Sequence, residues 1–274
     1  MQNKIVDAAL KAMLYEVTVN PKPGLVDPVT NGSHHDMNVF TFIDSTLSLR
    51  SYFEAVVKYG KDFSGENLQE LFLKIRPLGL EAEKNMFNAT HQVNTHKGVI
   101  FSLGILATAA SYTESNSTLS TENIVAVVKA MLLDLTKNDF RSLAEKSKLT
   151  AGEKQYIKYG FTGIRGEAEA GFPTVVNIAL PFLRKTNGEI SQRLLDTLMV
   201  ILVNLEDSNL IKRAGNADIL IEVKKKVQQY FECLDKKKFL RQFDKDFTDR
   251  NLSIGGSADL LILTIFLGLL ENIL

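Results

Sequence analysis

Apolar residues recur every three to four positions along most of this chain. Ile5, Ala8, Ala9, Ala12 and Met13 open the pattern, and residues spaced in this way form one buried stripe on a helix. The same period continues through residues 40–57, 68–87, 99–110, 124–135, 175–183, 194–205, 219–231 and 258–274. Alternating apolar and polar runs bounded by hairpin turns, the mark of half-buried strands, are missing. The pattern predicts an all-α fold, a multi-helix bundle of roughly ten or more helices. No repeat, low-complexity tract or Pro-rich hinge divides the chain, so residues 1–274 read as a single domain.

Local signals sharpen several boundaries. Asp36 is placed to cap a helix beginning at Met37, and Ser120 or Thr121 to cap the one that follows the polar stretch 113–120. Pro173 suits a first helical turn, which pushes Phe172 towards an extended backbone. Pro77 falls inside an apolar window and is expected to break or kink that helix. Residues 224–250 are rich in charge, yet Phe239, Phe243 and Phe247 recur four apart, so the segment reads as an amphipathic helix rather than a linker.

Composition narrows the function classes. A chain of 274 residues with 45% hydrophobic positions can bury a substantial core. Lys plus Arg and Asp plus Glu are both 32, so the net charge is zero. That argues against bulk electrostatic binding to nucleic acid or an acidic membrane and leaves room only for a local basic pocket. The lone Cys233 excludes an internal disulfide framework and a thiolate-rich zinc site. The first residues carry no secretory signal pattern, and the longest apolar run, 260–270, is too short to cross a bilayer. A soluble, cytoplasmic protein is the expectation.

The chemistry lies in five polar, glycine-containing segments between helical windows. They are residues 20–37, with Lys22, Gly24, Asp27, His35 and Asp36; residues 94–98, with Asn94, His96, Lys97 and Gly98; residues 163–173, with Arg165, Gly166, Glu167 and Glu169; residues 207–215, with Asp207, Asn209 and Arg213; and residues 255–259, with Gly255, Gly256 and Asp259. Each sets a glycine or a cap residue beside a helix terminus, together with a cation or a carboxylate. Free N–H groups at a helix start favour an anion, and glycine lets a phosphate approach the backbone. Cations beside carboxylates suit a polyphosphate with Mg²⁺. Taken singly, each segment is equally consistent with an ordinary capped loop.

The acids and histidines leave alternatives open. Glu167 and Glu169 point the same way only if their segment is extended. Glu81 and Glu83 share that spacing inside a helical window, so one of them at most faces a site. Asp207 reads as an N-cap or a metal ligand, and Asp259 as a first-turn acid. His91 and His96 are five apart, which is not a zincin spacing. His35 with Asp36, or His96, is a candidate acid or phosphate donor. A nucleophile elbow, a Walker loop and a dinucleotide fingerprint are all lacking.

Taken together, the segments resemble the triphosphoribosyl-dephospho-CoA synthase family. The resemblance rests on residues 21–27 with 35–37, on 93–98, on 165–168 with 171–173, on 207–209 and on 255–259, all in the family's order. His91-Gln92, Ala214 and Ile254 depart from its pattern and change loop shape only. It implies transfer of the triphosphoribosyl group of ATP to the 2′-hydroxyl of 3′-dephospho-CoA, with adenine leaving. It further implies a product destined for the acyl-carrier subunit of citrate lyase, or of malonate decarboxylase in a related branch.

On this resemblance Lys22, Lys97, Arg165 and Arg213 grip phosphates, supported by Gly24, Asn94, Gly98, Gly166, Asn209, Gly255 and Gly256. Asp27, Asp36, Asp207 and Asp259 hold Mg²⁺ or its water shell, while Glu167, Glu81 and His96 supply acid–base or oxocarbenium support. A homodimer is compatible with the sequence. Two other readings remain: an all-α, Mg²⁺-dependent hydrolase of an ADP-ribosyl or nucleotide substrate, and a non-catalytic helical carrier of a CoA-like cofactor.

Overall fold

A computed structural model describes residues 3–141, 143 and 146–274. Its α-helices are α1 (Lys4–Thr18), α2 (Val39–Ser48), α3 (Arg50–Asp62), α4 (Leu68–Ala89), α5 (Lys97–Asn116), α6 (Thr121–Met131), α7 (Leu135–Phe140) and α8 (Ala151–Tyr159). They continue with α9 (Gly163–Glu169), a π-helical turn at Thr174–Ala179, α10 (Leu180–Lys185), α11 (Ile190–Asn204), α12 (Ser208–Ala214), α13 (Ile219–Glu232), α14 (Lys236–Asp249) and α15 (Gly255–Leu270). No strand occurs among the described residues, so the all-α expectation holds.

Two helices organise the rest. α5 and α15 are buried nearly all round, as helices without a polar face must be. α15 packs on α1, α11 and α5, while α5 packs chiefly on α3 and α6. Most other helices bury one stripe against this pair. α14 packs on α13 instead, with Phe243 and Phe247 buried in the shared core and Phe239 at its edge.

The α3–α5 contact is close because it is built on small residues. A Cβ on Gly60 would meet the Thr108 carbonyl, and one on Gly104 would collide with the Tyr52 hydroxyl. That hydroxyl donates to the Ile100 carbonyl at 2.8 Å, so the ring cannot swing away without losing its partner.

Several local expectations are corrected. The 40–57 window divides at Leu49 into α2 and α3. Asn38, not Asp36, caps α2, because its side chain accepts from Thr41 N while Thr41 reaches back to it in a capping box. Pro77 leaves α4 unbroken. The carbonyl it deprives of a partner belongs to Leu73, which is exposed, so solvent can satisfy it. Residues 224–250 form two helices, the end of α13 and α14. Phe172 is left-handed at φ +57°, not extended. With Gly171 it closes α9, Phe172 N donating to the Glu167 carbonyl at 2.7 Å, and this places the Phe172 ring in the core.

Alanine ordinarily stabilises a helix interior relative to glycine, but at position 104 the new methyl has nowhere to go. Gly104→Ala should therefore destabilise the fold by about 1–3 kcal/mol in urea titrations. A gain in stability would mean that α3 and α5 are not held as closely as described.

Candidate functional site

The N-terminal turns of α5 and α15 open on the same polar cleft, about 160 Å³ in volume. Glu16 of α1, His34 and Met37 of the segment between α1 and α2, Phe42 of α2, Asn209 and Arg213 of α12, and Ser253 complete its walls. Asn94, Thr95, His96, Lys97 and Gly98 enter from the α5 side, Gly255 and Asp259 from the α15 side. The N-cap residue His96 gives α5 no side-chain cap; Lys97 N donates to Asn94 Oδ1 at 3.3 Å, while the N–H groups of Gly98 and Val99 and the positive end of the dipole are left for a ligand.

Gly98 is where the two central helices touch. A Cβ there would collide with the Asp259 carboxylate, which lies against the glycine. Among the described residues this carboxylate has no hydrogen-bond or ion-pair partner. Burial, with Asp207 and Glu16 close by, pushes it well above the usual carboxylate range.

Asp207 plays a different part. It caps its own helix by accepting from Asn209 N at 3.0 Å and Leu210 N at 3.1 Å. It also accepts from Gly256 N at 3.3 Å, Ser257 N at 2.7 Å and Ser257 Oγ at 2.9 Å. One fully buried carboxylate therefore joins the starts of α12 and α15. Burial raises its pKa, and those donors oppose the rise.

His96 is fully buried behind the cleft. Its Nδ1 lies 2.7 Å from Ser45 Oγ, which accepts from Thr95 Oγ1 at 2.7 Å. With Thr95 donating to Ser45, the Ser45 proton is available for Nδ1, the arrangement that leaves the ring proton on Nε2. Nε2 has no partner in the protein. Burial and the nearby Lys22 charge lower the imidazole pKa to about 3, so it is a neutral N–H donor rather than a cation.

His34 lies between Ser253 Oγ, 3.2 Å from Nε2, and Arg213 Nη2, 3.3 Å from Nδ1. Burial and that guanidinium lower its pKa to about 4. Arg213 is held by the Ser33 carbonyl at 3.0 Å and by Asn251 Oδ1 at 2.6 Å. No carboxylate among the described residues pairs with it.

Of the residues singled out from the sequence, Asn94, His96, Lys97, Gly98, Asn209, Arg213, Gly255 and Asp259 meet in this cleft. Others do not reach it. Lys22 is buried behind the wall, its Nζ 2.5 Å from Glu16 Oε1, so the expected phosphate contact is replaced by an internal ion pair. Asp27 closes its own turn, accepting from Val29 N and Thr30 N at 2.8 and 2.9 Å. Gly24, left-handed at φ +65°, packs on the Leu252 carbonyl, Gly166 on the Thr162 side chain, and Gly256 on Asp207. Asp36 and His35 are exposed beyond the cleft rim, and the neighbouring His34 takes the inward place.

The glutamates are redistributed as well. Residues 163–169 are helical, so Glu167 and Glu169 diverge: Glu167 Oε1 accepts from Thr174 N at 2.7 Å, and Glu169 Oε2 from Thr136 N at 3.1 Å. Burial raises the pKa of Glu167, but it lines no described cavity. Glu81 is an exposed partner of Lys84, while Glu83 faces inward and pairs with Lys97 at 2.7 Å. Arg165 pairs with Asp139 at 2.7 Å in an adjoining cavity. The expected four-aspartate magnesium set does not assemble, and no group of three or more His, Cys, Asp or Glu side chains gathers around a metal position among the described residues. A narrower fit remains in Asp259, since Glu16 is held by Lys22 and Mg²⁺ commonly takes one or two carboxylates and completes its shell with phosphates and water.

Glu16, His34, Ser45 and Ser253 were not picked out from the sequence as site residues. Glu16 carried a signal, being an acid on the buried stripe of α1 one turn after Ala12. Ser45 carried none.

The two lowered histidines set a pH dependence. The unfolded chain protonates them near the ordinary 6.5, whereas the folded chain resists until about 4 at His34 and about 3 at His96. Protons therefore favour the unfolded state in that interval, and stability is full above pH 6.5 and falls as pH drops towards 4. Urea titrations across this range should show the fall, and His96→Gln should make it shallower. An unchanged slope would place His96 in contact with solvent.

The chain matches the ATP:dephospho-CoA triphosphoribosyl transferase family (CitG) over residues 2–274. It is 52% identical to a probable 2-(5''-triphosphoribosyl)-3'-dephosphocoenzyme-A synthase of Lactiplantibacillus plantarum, covering 98% of both chains. It is 40% identical to the protein of the same name in Streptococcus mutans, covering 97% of this chain and 96% of that one. Protein CitXG of Leuconostoc mesenteroides is 49% identical over 97% of this chain, which spans 59% of that longer protein. No solved structure matches. With the match running through every segment that builds the cleft, this chain belongs to the ATP:dephospho-CoA triphosphoribosyl transferase family.

Proposed function

We propose that the cleft at the starts of α5 and α15 is where this enzyme transfers the triphosphoribosyl group of ATP to dephospho-CoA. The observation that carries the reading is the meeting, in one small cleft, of a helix start with free N–H groups, the Arg213 guanidinium, Lys97 (shared with Glu83) and the Asp259 carboxylate, which has no protein partner among the described residues. The α5 amides, Lys97 and Arg213 grip the triphosphate, which passes through the reaction whole. Mg²⁺ arriving with ATP would be held by Asp259 and would supply neutralising charge to the phosphates.

The reaction forms a bond between the acceptor's 2′-oxygen and the ribose C1′ of ATP and breaks the bond from C1′ to adenine. The hydroxyl proton is balanced by the proton that adenine gains. Positive charge grows on the ribose as adenine departs, and the low-dielectric carboxylates of this wall oppose it. His96 Nε2–H is aimed to donate to a ligand oxygen or ring nitrogen without carrying charge itself. A cytoplasmic location suits a protein that consumes ATP. The product reads, on the family resemblance, as a prosthetic-group precursor for an acyl-carrier subunit of citrate lyase.

Purified protein given ATP, Mg²⁺ and dephospho-CoA should release adenine only when all three are present. Release without dephospho-CoA would mean hydrolysis and overturn the transfer reading. Gly98→Ala should displace Asp259 and reduce turnover by about a hundredfold, with circular dichroism melting little changed. Undiminished turnover would remove the Gly98–Asp259 contact from the mechanism.

A further inference from the structure

Behind the Lys97–Gly98 wall lies a second cavity of about 280 Å³. Its character is opposite to that of the cleft. Ile75, Leu80, Ile100, Phe101, Ile105 and Ile164 supply apolar walls. The charges at its mouth do not balance. Asp139 Oδ2 accepts from Arg165 Nε at 2.7 Å, and Asp139 Oδ1 lies 3.4 Å from Arg76 Nη2. Two guanidinium groups thus share one carboxylate. The carboxylate lies deeper, with 15% of its side chain exposed, whereas Arg76 and Arg165 stand at 53% and 37%. Both guanidiniums are also steadied over aromatic faces, Arg76 over Phe72 and Arg165 over Phe140, each 5.9 Å from the ring centroid. Lys97 adds no free charge to this side, being paired with Glu83.

A held pair of guanidiniums with net positive charge, at the lip of an apolar cavity, fits a ligand with a diphosphate beside uncharged bulk. The cavity shares Lys97 and Gly98 with the cleft, so a molecule in it lies directly against whatever the cleft holds. The cleft alone, at about 160 Å³, is smaller than a usual cofactor-sized pocket, commonly on the order of 300–1,000 Å³. Two substrates therefore need the second space.

We propose that this cavity is the acceptor's half of the active site: dephospho-CoA lies here, its pyrophosphate on Arg76 and Arg165 and its uncharged part against the isoleucine walls. The proposal rests on the assignment of the polar cleft to the triphosphoribosyl donor. The donor contributes only its C1′ to the junction and sends no phosphate to this side. The acceptor must bring a pyrophosphate close to its reacting ribose, and the positive lip answers that need.

The test is a KM split read from initial rates of adenine release, with each substrate varied in turn. Arg76→Gln should raise KM for dephospho-CoA by about tenfold while KM for ATP stays within about twofold, and Arg76→Lys should recover part of the loss. Leu80→Trp, which fills the cavity from an exposed position, should show the same split. A rise confined to ATP would give the cavity to the donor's base and overturn the proposal, as would two unchanged KM values in both variants. If wild-type protein releases no adenine with both substrates present, the transfer reading itself falls, an outcome distinct from a misplaced acceptor.

Discussion

The buried Asp207 carboxylate is the joint on which the site depends. A charge removed from water persists only where donors replace its hydration, and here four backbone amides and one hydroxyl do so. Those amides belong to the first turns of two helices, so satisfying one acid fixes how α12 meets α15. Asn209 and Arg213 ride on the first helix, Gly255 and Asp259 on the second. The Asp259–Gly98 contact then sets α15 against α5. Three helix starts from distant parts of the chain are brought to one place by two aspartates. One has its lone pairs fully engaged; the other is left without a partner.

That difference separates framework from chemistry. Asp27, Asp207 and Lys22 are buried with their partners satisfied, and a fully satisfied group has little left to offer a ligand. The Nε2 of His96 is buried with nothing to bind, and the Asp259 carboxylate, half-buried at the cleft wall, has no partner among the described residues. An unsatisfied buried polar atom has a cost of about 1–3 kcal/mol, which a structure tolerates where a ligand supplies the missing partner. The cleft therefore holds unmet hydrogen-bonding capacity on His96 Nε2 and on Asp259, beside the Arg213 guanidinium, which has no carboxylate in contact with it among the described residues. A nucleotide polyphosphate with a divalent cation presents the complementary set.

Much of this was legible in the amino-acid order. Helical periodicity fixed the fold class, because an apolar stripe every three to four residues has one economical burial. The polar segments predicted the cleft, and eight of the residues drawn from them do line it. What the sequence could not separate was a residue that faces the ligand from one that holds up the residue facing it. Lys22 and Lys97 look alike as cations beside glycines. Only packing shows that the first neutralises Glu16 inside the protein while the second borders both cavities. Glu81 and Glu83 differ by the helical rotation between them, which turns one to solvent and the other towards Lys97. His34 and His35 are adjacent, and their choice depends on the approach of Arg213, 178 to 179 positions away in the chain. Ser45 left no mark at all, being one more small residue on an apolar helix.

Transfer in preference to hydrolysis follows from how these spaces are arranged. Water and a ribose hydroxyl are similar nucleophiles, so an enzyme that selects the second must keep the first out until its acceptor arrives. The polar cleft is small, and His96 and Asp207 lie where bulk water does not reach. The adjoining cavity is lined by isoleucine and phenylalanine, surfaces that hold water poorly and yield it readily to an apolar group. In the proposed arrangement, an acceptor entering that side brings its hydroxyl through the wall the two spaces share. There Gly98 has no side chain to stand in the way, and any larger residue would push Asp259 from its place.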